Sequence, residues 1–147
     1  MKNELFNKCQ EFVDAKKAVL NEAIATIKEE MEGESKNSVG EDYDSTKEQL
    51  HAEHENLMIQ RNEVNMLQTI LNTINLSAEP KTVSIGALVK TTKANYYISI
   101  PVGKIMIGDE VIYAISKASP IGSLLAGKQV GDEIVFNGNT IKITSIE

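Results

Sequence analysis

Along the first part of the chain the apolar positions keep a helical beat. Val13, Leu20 and Ile27 are seven apart, and Ile24 and Met31 follow two of them by four residues. With Lys17 they form one a/d seam, and no Gly or Pro interrupts before Gly33, so one long helix is predicted from Leu5 to Met31, fraying near Glu30 to Gly33. Residues 33–43 hold two glycines, two serines and an asparagine, which is turn composition. A second helix is predicted from Asp44 or Ser45, either of which is a capping residue type. Its seam is again heptad: Leu50, Leu57, Val64 and Leu71, with Leu67 and Ile74 three residues after the last two. Two such helices joined by a short polar loop fold back most simply as an antiparallel hairpin. At 1.5 Å per residue, helices of about 28 to 32 residues give a hairpin about 40–48 Å long.

After Ser77-Ala78-Glu79-Pro80 the period changes. The runs Thr82–Thr91, Tyr96–Val102, Lys104–Ile107, Glu110–Ser116, Glu133–Phe136 and Ile141–Ile146 are short and rich in β-branched and aromatic residues, as strands are. Asn137-Gly138 between the last two is a hairpin turn signal, and Gly108-Asp109 marks another turn. Ser119-Pro120-Ile121-Gly122-Ser123-Leu124-Leu125-Ala126-Gly127 reads instead as a short helix, with Ser119 as N-cap, Pro120 at the first helical position and Gly127 as the stop. The predicted fold class is α+β: a coiled-coil hairpin over residues 1–76, then a small antiparallel β domain over residues 80–147 whose one short helix covers a sheet face.

Charge sharpens this division. The net charge of −6 is carried by residues 1–76, with 15 acids and 8 bases, whereas residues 77–147 have 6 acids and 7 bases. Residues 29–48 concentrate eight acids against Lys36 and Lys47. Such a field attracts cations or a basic partner and repels nucleic acid phosphate, so direct binding to DNA or RNA is disfavoured and no sequence-specific nucleic-acid binding is expected. The chain has no apolar run of membrane-spanning length and no signal-peptide pattern at its start, so a cytoplasmic location is expected. Cys9 is the one cysteine, which excludes an internal disulfide and a multi-thiolate zinc site. Among Leu5, Phe6 and Phe12 it is expected to be buried as a small hydrophobe.

The stretch Ile115–Glu133, with Ser119-Pro120-Ile121-Gly122, Leu125-Ala126-Gly127-Lys128 and Gly131-Asp132, resembles the C-terminal signature of the bacterial Gre-type transcription elongation factors. Val83–Val89 resembles the strand that opens that domain, and Ile105–Glu110 resembles its Ile-Val-Gly-Asp segment. The resemblance implies an FK506-binding-protein-like fold for residues 80–147. It further implies docking at the rim of the RNA polymerase secondary channel through Ser119, Pro120, Ile121 and Gly122, with the hairpin tip, about residues 32–44, entering the channel. In cleavage-stimulating members an acidic pair three residues apart helps hold a magnesium ion at the polymerase site, where carboxylate oxygens suit so hard a cation. Glu41–Gln49 resembles the family segment just after that pair. Counting back from Tyr43 places Lys36 and Val39 at the pair positions, and aligning Gly33 with the family glycine places Glu34 and Asn37 there. Either way the pair is incomplete, which leaves Glu34, Glu41, Asp42 and Asp44 as the acids the tip presents.

The expected function is that of a non-enzymatic elongation factor that binds the polymerase secondary channel and modulates backtracked or paused complexes, with transcript-cleavage stimulation as one mode. It would have no cofactor of its own and at most would lend carboxylates to magnesium shared with the polymerase. A channel-binding inhibitor without cleavage activity, or a coiled-coil adaptor or dimerisation protein, are the alternatives. The polar seam residues Lys17, Glu53 and Gln60 could set register in a pairing within or between chains. A monomer is expected over a dimer. His51 and His54 lack the further ligands a zinc site needs and read as ordinary helix residues. With only Tyr96, Tyr97, Tyr113 and Phe136 as aromatics, residues 80–147 do not suggest a prolyl isomerase pocket.

Overall fold

In the computed structural model, residues 1–36 and 41–147 are described, with side chains described for 1–33 and 46–147. Helices α1 (Lys2–Lys36) and α2 (Glu41–Asn72) precede six strands and one short helix: β1 (Leu88–Thr91), β2 (Asn95–Ile98), β3 (Gly103–Ile107), β4 (Glu110–Ile115), α3 (Pro120–Leu125), β5 (Glu133–Phe136) and β6 (Asn139–Ile146). The architecture is the expected one, a helical pair followed by a small β domain with a single short helix.

Helix boundaries depart from the expectation. α1 continues through Gly33 to Lys36, because one glycine among Glu and Lys costs a helix only about 1 kcal/mol. α2 begins at Glu41, so Asp44 and Ser45 lie inside it rather than capping it. The predicted turn shrinks accordingly, and its centre, residues 37–40, lies outside the described residues.

The chain packs as two compact units, Val13–Leu67 and Met1–Phe12 with Gln68–Glu147. In the first, the seam is buried as the heptads predict: Val13, Leu20, Ile24, Ile27, Leu50 and Val64 are all buried. Glu53, placed on the seam by spacing, is exposed, while Lys17, Leu57 and Gln60 are half-buried.

In the second unit the start of α1 and the end of α2 join the β domain. Leu5, Cys9 and Leu71 have no exposure at all. Gln10 and Gln68 exchange two amide hydrogen bonds, at 2.7 and 3.0 Å, which fixes the two helices against each other. The sheet order is β3-β4-β2-β1-β6-β5. Every pairing is antiparallel except β2 with β4, which run parallel with Tyr96 beside Tyr113. Thr82–Ala87 is not a strand: Thr82 makes an isolated bridge to Gln129, and Gly86 turns the chain at φ +92, where a Cβ would stand 3.0 Å from Ile74 Cγ2. The β5–β6 hairpin turns at Asn137 and Gly138, both with positive φ, as an Asn-Gly turn requires.

Strand alternation gives the sheet two apolar faces. One carries Val89 and Ile98, packed with Val83, Ile121, Leu125, Ile134, Ile141 and Ile143. The other carries Leu88, Tyr97 and Ile112, all fully buried. Ser99 lies just beyond β2, and its Oγ is 3.5 Å from Cys9 Sγ, so α1 reaches this second face. Cys9 is the buried thiol the sequence predicts, and burial pushes its pKa up despite the Ser99 hydrogen bond. Tyr97 is enclosed beside it, its hydroxyl without a hydrogen-bond partner, and its pKa is also pushed up, first by burial and then by the neighbouring thiol.

Candidate functional site

The Ser-Pro-Ile-Gly step is a helix start built with little tolerance. Ser119, extended at φ −64 and ψ 159, caps α3: its Oγ accepts from the Gly122 N–H at 3.1 Å and donates to the Ser116 carbonyl at 2.7 Å. Pro120 supplies the preset φ of the first helical residue, where its missing N–H costs nothing. Ser123 Oγ donates to the Pro120 carbonyl at 2.9 Å. Gly122 has no space for a side chain, since a Cβ there would overlap the Ser116 carbonyl oxygen and stand 2.7 Å from Ser119 Oγ.

The rest of the signature ties this helix down. Gly127 N–H donates to the Val83 carbonyl and Val83 N–H to the Lys128 carbonyl, each at 2.9 Å. Asp132 Oδ2 accepts from the Gln129 N–H at 2.8 Å, and Gly131 N–H donates to the Ile143 carbonyl at 2.8 Å. Each glycine, the serine and the aspartate of the motif thus has a local structural task.

Of the four docking candidates, Ser119 is half-buried, Pro120 is exposed, and Ile121 and Gly122 are buried. Ile121 points into the core cluster with Leu125, four residues on. The outward partner of Pro120 is Leu124, also four residues on and 39% exposed. The sequence reading did not single out Leu124. The signal was present: the pairs Pro120–Leu124 and Ile121–Leu125 are offset by about 100° around the helix, so Leu124 turns away from the centre of the face that Ile121 and Leu125 bury. Pro120, Ser123 and Leu124 are therefore the exposed residues on the outward side of α3.

The acidic candidates Glu34, Glu41, Asp42 and Asp44 belong to α1 and α2, and their side chains lie outside the described residues. The nearby Glu29, Glu30, Glu32 and Glu48 are exposed. Among the described residues no three His, Cys, Asp or Glu side chains gather as metal ligands, and His51 is exposed while His54 is half-buried. No helix among the described residues is long and apolar enough to cross a membrane.

No family model matches the chain, and no curated protein matches it. Solved structures similar to the chain include two of one protein. The crystal structure of GreA factor homolog 1 (Gfh1) of Thermus thermophilus is 19% identical, covering 97% of this chain and 94% of that one, with a TM-score of 0.37. A structure of the transcription factor Gfh1 is 19% identical, covering 96% and 92%, with a TM-score of 0.36. At these TM-scores neither likeness bears on how this chain works.

Proposed function

We propose that this chain is a Gre-like factor that binds RNA polymerase at the secondary channel and acts there on backtracked or paused complexes. The observation that carries the reading is the Ser119–Gly127 signature, folded into a capped helix that leaves Pro120 and Leu124 outward as an apolar pair on a fixed frame. Two apolar side chains on rigid backbone suit a docking contact, because little conformational freedom is lost on binding. The hairpin adds a run of eight acids over residues 29–48. Glu34, Glu41, Asp42 and Asp44 bring oxygen donors of the kind magnesium takes, and bond breaking would remain the work of the polymerase. The chain itself is not an enzyme in this reading.

Gel-filtration co-elution with cognate core RNA polymerase tests this, using Leu124→Asp as the docking variant. Leu124→Asp spares the core, whereas a charge at Ile121 would unfold it. Co-elution of the wild type and its loss in Leu124→Asp are expected. A wild type that does not co-elute at micromolar concentration overturns the proposal.

A second reading, a coiled-coil adaptor, is favoured by one observation. Val19, Ile59 and Met66 on the two helices are 57–68% exposed, and a second coiled coil would cover side chains of this kind. Light scattering separates the two readings, since helix-mediated pairing doubles the mass.

A further inference from the structure

A second surface of the β domain has a different chemistry. Thr91, Lys93, Ala94, Asn95, Lys104 and Tyr113, with Val111, line a cleft of about 440 Å³. That volume lies in the range of small-ligand sites. One wall is the β1–β2 turn, held rigid by Thr91 Oγ1, which donates to the Ala94 carbonyl at 2.5 Å and accepts from the N–H groups of Lys93 and Ala94 at 3.1 Å. The floor is sheet: Lys104 on β3 stands directly opposite Tyr113 on β4. Tyr113 is 38% exposed and backed by the Tyr96 ring, whose centroid is 6.3 Å away at a tilt of 39°.

The charges here are not committed elsewhere. Lys90, on the neighbouring strand, pairs with Glu110 at 3.8 Å, whereas no acid lines the cleft beside Lys93 and Lys104. Two ammonium groups with no ion-pair partner among the described residues and an exposed aromatic ring on a rigid backing make a combination that suits one ligand chemistry. The ammoniums hold phosphate and the ring stacks a base. An acidic peptide would use the lysines but leave the ring without a planar partner. The net charge of the whole chain does not decide the matter, because salt screens the repulsion between well-separated exposed charges and the lining of the cleft sets its local potential.

We infer that the cleft between the β1–β2 turn and the β3–β4 edge binds one nucleotide unit of a single-stranded nucleic acid, with Lys93 and Lys104 on phosphate and Tyr113 stacked on the base. Binding of this kind reads no sequence. It goes beyond polymerase docking and is tested on the purified full chain without polymerase.

The test is titration of a fluorescein-labelled oligouridylate, read by anisotropy at several salt concentrations. The wild type is expected to bind with a salt slope of about −1.4, as two phosphate contacts on a single strand give. Lys93→Glu with Lys104→Glu, both at exposed positions, should weaken binding at least tenfold while leaving the melting curve unchanged. Tyr113→Leu should weaken it by roughly tenfold and Tyr113→Phe should restore it, since stacking needs the ring and not the hydroxyl. Absence of binding, or binding that both the lysine and tyrosine variants retain, overturns the inference. Equal binding of polyglutamate reduces the cleft to a general anion patch and overturns it too. Equal affinity for free uridine monophosphate assigns the cleft to a mononucleotide instead of a strand.

Discussion

Replacing Gly122 with alanine adds one methyl group where the structure leaves it no room. The new Cβ would collide with the Ser116 carbonyl oxygen and press on Ser119 Oγ at 2.7 Å, the two atoms that hold the start of α3. Neither neighbour is the free end of a long side chain, so the helix must move. Moving it breaks the Ser119–Gly122 cap, a loss of about 1 kcal/mol. It also disturbs Ile121 and Leu125 in the core, and forced repacking of that kind costs about 1–3 kcal/mol. The two together come to about 2–4 kcal/mol, an upper bound because one displacement relieves part of both. Ser119→Ala, which loses the cap without adding bulk, should cost about 1 kcal/mol. Urea unfolding followed by circular dichroism measures all three proteins. A Gly122→Ala protein within about 0.5 kcal/mol of wild type, the range of ordinary surface substitutions, would refute the packing argument. It would leave the glycine to be explained by a partner alone.

Stability should fall with alkalinity. Cys9 and Tyr97 have pKa values raised by burial, so above about pH 9 the folded state binds more protons than the unfolded one, and unfolding becomes easier as pH rises. Below that pH both groups are protonated in either state and the effect vanishes. Tyr97→Phe removes a buried hydroxyl that has no partner, so it should leave stability at pH 7 unchanged or raise it by about 1 kcal/mol, and it should flatten the alkaline loss. Urea midpoints at pH 7 and 10 check both statements. Cys9 should resist a thiol reagent at pH 8 in the native protein and react promptly in denaturant; fast native labelling would contradict its burial. Replacing Glu41, Asp42 and Asp44 by Ala should leave polymerase co-elution intact and abolish any effect on backtracked complexes; a triple variant of unchanged activity removes the tip from the mechanism.

Much of this molecule is written in spacing. The heptad spacing of Val13, Leu20 and Ile27, and of Leu50, the half-buried Leu57, Val64 and Leu71, predicts the inward face of both long helices because a helix repeats its faces at that interval. Asn137-Gly138 announces its turn because few other residues tolerate positive φ, and Ser119-Pro120 announces its cap because a serine hydroxyl meets an unpaired helix N–H and proline's fixed φ suits the first helical residue. What spacing could not give is tertiary. The change of pattern near Pro80 marks where helices end and strands begin, yet Leu5, Cys9 and Leu71 pack with the β domain, as an apolar helix face does wherever a sheet face is open to it. The parallel pairing of β2 with β4 depends on how the chain crosses over, which no local pattern encodes. At the candidate site the signature was legible, but its direction was not: Ile121 serves the core and Leu124 faces out. The cleft at Lys93, Lys104 and Tyr113 was hidden because the β1–β2 turn comes beside the β3–β4 hairpin only through the parallel pairing of β2 with β4.

The central claim is that α3 is the docking element for RNA polymerase. Its most direct test places a photo-crosslinking residue at position 124, with a control at the exposed Val135, and maps the products formed with core polymerase. Crosslinks from position 124 to the rim of the secondary channel, absent from position 135 and suppressed by Gly122→Ala, are the predicted result. Crosslinks of equal yield from both positions, or none from position 124 in a chain that binds, would contradict the account.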